Sequence, residues 1–128
     1  MAKSPSDRTY SQSHEWHKLD GDILTLGVTR FAVDALTDVT YVEMKKAGTK
    51  IKGGDTVGEV ESVKTTSDIY SAAEGEIIEV NAALTDDPSL INTDPYGAGW
   101  LVKLRVTNKA GLDGLSKADA YDAQYPTK

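Results

Sequence analysis

The chain has 128 residues and a mass of 13.8 kDa, which fits one domain over residues 1–128 and allows a hydrophobic core without cross-links. Its 20 acidic and 14 basic side chains give a net charge of -6, so we expect no nucleic-acid ligand and favour partners with basic faces. The sequence contains no cysteine, which excludes disulfides, thiol nucleophiles and thiolate metal sites.

The N-terminal sequence indicates where the protein acts. It lacks the apolar segment of a secretory signal, and no stretch of the chain is apolar for long enough to cross a bilayer. It is also short and poor in arginine for an organellar transit peptide. We therefore expect a cytoplasmic bacterial protein without membrane contact, or a mitochondrial matrix protein if the chain is a processed eukaryotic form.

The first part of the chain predicts a hairpin. Apolar side chains alternate over residues 22–28, which indicates a half-buried strand. The Asp20-Gly21 pair supplies a turn before it, and an extended stretch from Tyr10 to Trp16 precedes that turn. Two antiparallel strands are expected here.

A short helix is predicted directly after this hairpin. Thr29 is a suitable N-cap, because its hydroxyl can accept a hydrogen bond from an amide of the first turn. The helix covers residues 30–36 and needs tertiary packing, since it is too short to be stable alone. The side chains assigned to its inner side are Phe31, Ala35 and Leu36.

The rest of the chain alternates between short strands and turns. Strand character is found in residues 38–44, 56–63, 66–71, 76–81 and 100–106. A loop rich in proline and glycine carries one helical turn near residues 89–91, and a final helix is predicted over residues 115–125 with Ser116 as its cap. Many short strands without βαβ alternation favour an all-β sandwich or a flattened barrel.

Lys64 lies midway between two breaks in this pattern. Gly54-Asp55 precedes it and Glu74-Gly75 follows it at nearly the same distance, so the lysine is predicted near the tip of a hairpin. A lysine on such a tip can enter the active site of another enzyme, and acylation would turn it into a swinging carrier. Most exposed turn lysines have no role, so spacing alone favours an ordinary surface residue.

A longer motif surrounds this lysine. The string VESVKTTSDIYS, followed by AAEGEIIEVN, resembles the lipoylation region of the glycine cleavage system H-protein family, with the pattern V-E-S-V-K-x-x-S-D-x-Y-S-P-x-x-G-x-V-x-E-x-N. Further family blocks follow in family order: Ser13-His14-Glu15-Trp16, Gly27-Val28-Thr29, Asn92, Pro95-Tyr96 and Gly99-Trp100. The resemblance covers residues 8–125. Where the family often has glycine, this chain has Thr37, which we interpret as a loop adjustment.

The resemblance implies a fold and a covalent cofactor. The fold is mainly β, a lipoyl/biotinyl-type β-sandwich, or barrel-sandwich hybrid, with short flanking helices that include a C-terminal helix. The cofactor is lipoate in amide linkage with Lys64. The residues implied in recognition by a lipoate ligase or lipoyl transferase are Glu61, Ser62, Val63 and Asp68.

The resemblance also implies a carrier without catalytic residues or a metal site of its own. In the family, a pyridoxal-phosphate glycine decarboxylase loads an aminomethyl group onto the lipoyl arm. Aminomethyltransferase passes that carbon to tetrahydrofolate, and dihydrolipoyl dehydrogenase then reoxidises the dithiol with NAD. A monomer is expected, because the arm must enter three different active sites. His14 and His17 lack a nucleophile or a third ligand nearby, so neither a triad nor a metal is supported.

The family shelters the loaded arm in a surface cleft, and three residues of this chain match that cleft. Glu15 can pair with the protonated amine, Ser13 can add a hydrogen bond, and Asp68 is a further candidate. A simpler interpretation of this block makes Trp16 a buried anchor with two exposed neighbours. We adopt that interpretation for His14.

Other functions stay open at this point. A lipoyl relay protein that hands lipoate to other complexes would carry the same modified lysine, and an unmodified β-rich binding module would carry none. Glu43-Met44-Lys45 is similar to the Met-Lys-Met of biotin carriers, but the second methionine is missing. Lipoyl domains of 2-oxo acid dehydrogenases usually have Asp-Lys-Ala where this chain has Val63-Lys64-Thr65.

Overall fold

The structure, a computed structural model, describes residues 4–125. Its strands are β1 (Thr9–Tyr10), β2 (Glu15–Asp20), β3 (Ile23–Val28), β4 (Val39–Met44), β5 (Lys50–Ile51), β6 (Thr56–Ser62), β7 (Thr66–Tyr70), β8 (Glu74–Val80), β9 (Val102–Asn108) and β10 (Ser116–Lys117). Its helices are α1 (Arg30–Leu36), α2 (Ala83–Asp86), α3 (Leu90–Thr93) and α4 (Ala118–Gln124), and a 3-10 helix covers Ala110–Gly114.

The strands of the described residues form two antiparallel sheets. The larger sheet has seven strands in the order β10-β1-β2-β3-β9-β8-β5, and the smaller has three in the order β4-β6-β7. Buried side chains of both sheets share one core, to which β3 contributes Leu24 and Leu26, β6 contributes Val60 and β9 contributes Leu104. The mainly β sandwich with short helices, including the one near the C-terminus, is confirmed.

Helix α1 follows the sequence prediction in its bounds but not in its inner side. The Thr29 hydroxyl accepts a hydrogen bond from the amide of Ala32 at 3.2 Å, as an N-cap does. The buried residues are Val33 and Leu36, whereas Ala35 is exposed. Residues three apart share one side of a helix, so the pair Val33 and Leu36 faces the core, and the assignment of Ala35 was wrong.

Thr37 ends α1 in a strained backbone conformation. Its φ of 63° lies in the left-handed region, which glycine adopts at lower cost than a β-branched residue. Asn92 supports both sides of the bend, because its Nδ2 donates to the Thr37 carbonyl at 2.5 Å and its Oδ1 accepts from the Val39 amide at 3.0 Å. Position 37 therefore requires a backbone conformation with positive φ, and the interpretation of Thr37 as a loop adjustment did not include this requirement.

The C-terminal helix begins later than the sequence suggested. Ser116 and Lys117 form β10, which pairs with Tyr10 and Thr9 of β1, so the chain stays extended until Ala118. Ser116 is therefore a strand residue, and its assignment as a helix cap was wrong. This pairing places α4 beside a second buried cluster that consists of Tyr10, Trp16, Ala118 and Tyr121.

Candidate functional site

Lys64 lies at the tip of the hairpin that β6 and β7 form, as predicted. The amide of Ser62 donates to the Thr65 carbonyl at 2.8 Å, and the Ser62 hydroxyl accepts from the amides of Lys64 and Thr65, each at 3.2 Å. The backbone of the tip is thus fixed by Ser62. The Lys64 side chain is exposed and takes part in none of the ion pairs found within residues 4–125.

The residue before the lysine also projects into solvent. Val63 is 65% exposed, although its amide donates to the Asp38 carbonyl at 3.1 Å and so ties the tip to the chain ahead of β4. A large apolar side chain is thus exposed directly beside the exposed lysine.

The outer face of the smaller sheet is acidic. Strand register places Glu43, Glu59, Glu61 and Asp68 on this face, since directly paired residues of antiparallel strands point to the same side. None of them takes part in an ion pair within the described part of the chain. The nearby Glu43 carboxylate raises the pKa of the Tyr41 phenol, which shows the negative potential of the surface next to Lys64.

A tight turn between β1 and β2 interrupts the extended stretch predicted from Tyr10 to Trp16. The His14 amide donates to the Ser11 carbonyl at 3.1 Å, and the Ser11 amide donates to the Glu15 carbonyl at 3.0 Å. The turn closes because His14 has a φ of 73°. It carries Ser13 and Glu15 towards the end of β7.

The Glu15 carboxylate is fully buried and held by donors from two parts of the chain. Its Oε1 accepts from the hydroxyls of Ser11 at 2.5 Å and Ser13 at 2.6 Å, and its Oε2 accepts from the Tyr70 amide at 3.1 Å. An ionised carboxylate requires such partners when it is removed from water. The interpretation of Glu15 as an exposed neighbour of Trp16 does not hold.

A cleft of about 250 Å³ opens above this carboxylate. It is lined by Ser11, Ser13, Glu15, Gly54, Tyr70, Ser71 and Ala72. The structure thus brings Ser13 and Glu15 together. Asp68 lines a different groove, together with Glu43, Met44, Lys45, Lys46 and Glu59.

Sequence reasoning missed five residues that line this cleft: Ser11, Gly54, Tyr70, Ser71 and Ala72. Ser11 lies four residues before Glu15, and a serine-x-serine-x-glutamate spacing could have indicated it. Tyr70 contributes its backbone amide, and because every residue except proline has this group, the sequence gives no signal for the contact.

The buried imidazole of His17 supports the far wall of the cleft. Its Nε2 accepts a hydrogen bond from the Ala72 amide at 3.1 Å, so Nδ1 carries the proton of the neutral ring. Nδ1 has no hydrogen-bond partner among the described residues. Burial lowers the pKa of His17 to about 4, which keeps the ring neutral and able to accept near pH 7.

His14 lies on the other side of the turn and differs from the prediction. It is half-buried, and its Nδ1 lies 2.7 Å from the Tyr121 hydroxyl of α4. The expectation of an exposed His14 was therefore wrong, whereas Trp16 is buried as expected.

Comparison with known proteins identifies the family of this chain. The family model described as glycine cleavage H-protein matches residues 8–128. The chain belongs to the glycine cleavage H-protein family. The resemblance in the motif around Lys64 thus extends over nearly the whole chain.

Individual relatives are similar along their full length. The glycine cleavage system H protein of Symbiobacterium thermophilum is 50% identical over 123 residues, which cover 96% of each chain. That of Thermus thermophilus is 48% identical over 117 residues, or 91% of each chain. The crystal structure of a glycine cleavage system H protein from Mycobacterium marinum has a TM-score of 0.86 at 42% identity, covering 94% of this chain and 98% of that one.

Two further observations concern residues 4–125 only. None of their helices is both long and apolar enough to span a membrane. No group of three histidine or acidic side chains among them lies close enough together to hold a metal ion.

Replacing His17 by glutamine should change how stability depends on pH. The unfolded histidine binds a proton near pH 6.5 and the folded one only near 4, so its contribution is complete above pH 6.5 and is lost as the pH falls towards 4. The loss amounts to about 3 kcal/mol. Glutamine can accept from the Ala72 amide and does not titrate.

Urea unfolding of both proteins between about pH 7 and pH 4.5 checks this prediction. The wild-type free energy of unfolding should fall relative to that of His17→Gln as the pH decreases. Carboxylates contribute equally to both proteins and cancel in the difference. A difference that stays constant with pH would contradict the buried neutral ring.

Proposed function

We propose that this chain is the lipoyl-bearing carrier protein of the glycine cleavage system, with lipoate in amide linkage on Lys64. The single observation that carries the proposal is an exposed lysine on a fixed hairpin tip, inside the motif by which the chain resembles its family. The role is transport and not catalysis. Membership of the glycine cleavage H-protein family supports a general role of this chain in the glycine cleavage system.

Attachment of lipoate would take place on a hairpin tip whose backbone is held by hydrogen bonds. The deprotonated Lys64 amine would attack the acyl carbon of an activated lipoyl group, the bond to the activating group would break and release that group, and the nitrogen would lose a proton to give a neutral amide. Ser62 fixes the backbone on which the amine is presented, and Val63 offers an apolar contact. Glu61 and Asp68 give a lipoate ligase or lipoyl transferase an acidic surface to recognise.

The proposed partners are the three enzymes of the glycine cycle. Lipoate on Lys64 would supply a dithiolane able to carry an aminomethyl group from glycine decarboxylase to aminomethyltransferase and then electrons to dihydrolipoyl dehydrogenase. The acidic face beside Lys64 suits enzymes with basic entrances and should steer their encounters. A monomer would allow the arm to enter three different active sites. The bacterial origin of the relatives supports a bacterial cytoplasm as the compartment.

The cleft at Glu15 is the proposed shelter of the loaded arm. Strand β7 runs four steps from Thr66 to Tyr70, about 13 Å at ~3.3 Å each, and Lys64 lies two residues before it at the tip. An extended lipoyl-lysine arm of a dozen bonds reaches roughly 15 Å, so an arm folded back along β7 would bring its sulfur end towards the end of the strand where the cleft opens.

The protonated amine of the arm would meet the serine hydroxyls before it meets the carboxylate. Ser11 and Ser13 both donate to the Glu15 carboxylate, and the Ser11 oxygen also accepts from the Glu15 amide at 3.0 Å. The remaining lone pairs, one on Ser11 and those on Ser13, can accept from an ammonium group. The buried charge of Glu15 polarises both hydroxyls. Protonation of the amine would occupy the nitrogen lone pair. A free lone pair would expel the sulfur as a thiolate, after which water would hydrolyse the remaining carbon–nitrogen bond to formaldehyde and ammonia.

Replacement of Lys64 tests the modification directly. The protein is produced together with lipoate ligase and lipoate, and its intact mass should increase by one lipoyl group. Lys64→Arg keeps the charge but has no amine to acylate, so the gain should vanish. Lys45→Arg, which alters the biotin-like segment, should retain it. An unmodified wild type, or a modified Lys64→Arg protein, would contradict the proposal and favour an unmodified binding module.

A second assay separates glycine cleavage from lipoate relay. Lipoylated protein is mixed with purified glycine decarboxylase, and exchange of labelled bicarbonate into glycine is followed. The proposed carrier should support this exchange. A lipoylated protein that supports none would instead be a relay that hands lipoate to other complexes.

Replacement of Glu15 tests the shelter. Glu15→Gln keeps the shape of the side chain but removes its charge, so the aminomethyl-loaded protein should release ammonia about tenfold faster, as expected for a charge-assisted contact replaced by a neutral one. Glu79→Gln, an exposed residue of β8, is the matched control and should behave as wild type. Release no faster than that of wild type would refute the role of Glu15.

A further inference from the structure

His14 adopts a backbone conformation that glycine would take at lower cost, and its imidazole makes contacts that glycine could not make. Its φ is 73°, in the left-handed region. The imidazole lies 4.6 Å from the ring of Phe31 and 4.7 Å from the ring of Tyr125, measured between centroids. Its Nδ1 lies 2.7 Å from the Tyr121 hydroxyl. The ring is thus fixed by α1 on one side and by the α4 end on the other.

The directions of the hydrogen bonds at Tyr121 follow from the buried hydroxyl of Thr29. The Thr29 hydroxyl accepts from the Ala32 amide, and its oxygen lies 2.7 Å from the Tyr121 hydroxyl oxygen. Among the described residues, the Tyr121 oxygen is the one acceptor within reach of the Thr29 hydroxyl proton. Thr29 therefore donates to Tyr121, and Tyr121 donates to Nδ1 of His14. This chain of donors ends on a neutral imidazole, and burial of His14, which lowers its pKa, keeps it neutral.

The same imidazole belongs to the turn that forms the cleft. The His14 carbonyl accepts from the Thr29 amide at 3.0 Å, and the His14 amide donates to the Ser11 carbonyl at 3.1 Å. Ser13 and Glu15 are its sequence neighbours, so the rotation of the His14 backbone determines where both of their side chains point.

Helix α4 is itself held in place around Tyr121. The Tyr121 ring stacks on that of Tyr10 with centroids 5.0 Å apart. Asp122 accepts from the Ser4 hydroxyl at 2.6 Å and from the Ser4 amide at 3.0 Å. These contacts hold the Tyr121 hydroxyl in one position, so its hydrogen bond can fix the position of the turn at His14.

We propose that Tyr121 is a positioning residue for the arm-sheltering cleft, acting through its hydrogen bond to His14. The proposal rests on the function proposed above for that cleft. The C-terminal helix thereby contributes to protection of the loaded arm without contacting the arm. Without the Tyr121 hydroxyl, the turn can relax from its strained conformation, and Ser13 and Glu15 lose their common geometry.

The main test uses Tyr121→Phe, which removes the hydroxyl and keeps the ring. Each protein is lipoylated, loaded with the aminomethyl group by glycine and decarboxylase, and freed of the enzyme before ammonia release is measured. Tyr121→Phe should release ammonia about fivefold faster, the change in population that loss of one hydrogen bond produces. Tyr96→Phe is the control. Its hydroxyl accepts from the Arg30 amide and lies 3.5 Å from the Ser4 hydroxyl, and among the described residues no hydrogen bond joins it to the turn at residues 11–15.

Two variants of His14 separate positioning from general stability. His14→Gly relieves the backbone strain but removes the contacts with Tyr121, Phe31 and Tyr125, so it should release ammonia faster, and its melting temperature is measured alongside. His14→Asn tolerates the left-handed conformation and places an acceptor oxygen where Nδ1 lies, so it should restore protection relative to His14→Gly. These variants keep the test available if Tyr121→Phe folds poorly.

The readouts give opposite outcomes for a positioning role and a merely structural one. Lipoylation at Lys64 and reoxidation of the dithiol should keep their wild-type rates in every variant, because neither step uses the cleft. Wild-type ammonia release from Tyr121→Phe, together with fast release from Glu15→Gln, would overturn the positioning role and leave the shelter intact. Unchanged release from both variants would overturn the shelter and with it the role of Tyr121. Equal slowing of lipoylation and reoxidation would reveal a general folding defect and also overturn the proposal.

Discussion

The buried carboxylate of Glu15 is the interaction on which the rest of the site depends. One of its oxygens accepts from Ser11 and Ser13 in its own turn, and the other accepts from the Tyr70 amide in the smaller sheet. Removing a charge from water is costly unless hydrogen bonds replace the lost hydration, so these donors hold the turn and the end of β7 in one arrangement. Because Lys64 lies on the hairpin tip beyond the opposite end of β7, the same interaction sets the position of the cleft relative to that tip.

The fold could be predicted where local chemistry determines it. Thr29 caps α1 as its position indicated, and the hairpin around Lys64 follows from breaks in the sequence on either side. The prediction failed where a distant segment decides the local conformation. Ser116 would suit a helix cap, but pairing with Tyr10 more than a hundred residues earlier keeps it in a strand. The turn at His14 was missed because a non-glycine residue in the left-handed region gives no local signal.

The candidate site was predicted in part for the same reason. Ser13 and Glu15 lie two residues apart in a motif that marks them, and the structure places both in the cleft. The Tyr70 amide belongs to the backbone, and Tyr121 meets the turn across 107 positions of sequence, so neither could be inferred from spacing. Asp68 shares the hairpin with Lys64, but alternation along β7 directs it to the acidic outer face.

Amide chemical shifts provide the most direct test of the account. Spectra of isotope-labelled protein are compared between the oxidised lipoyl form and the aminomethyl-loaded form. If the loaded arm lies along β7 and its amine is held at the turn, the amides of Ser13, Glu15 and Tyr70 should shift on loading. Changes confined to the hairpin tip at residues 62–66 would show that the arm stays in solvent, and would contradict the central claim.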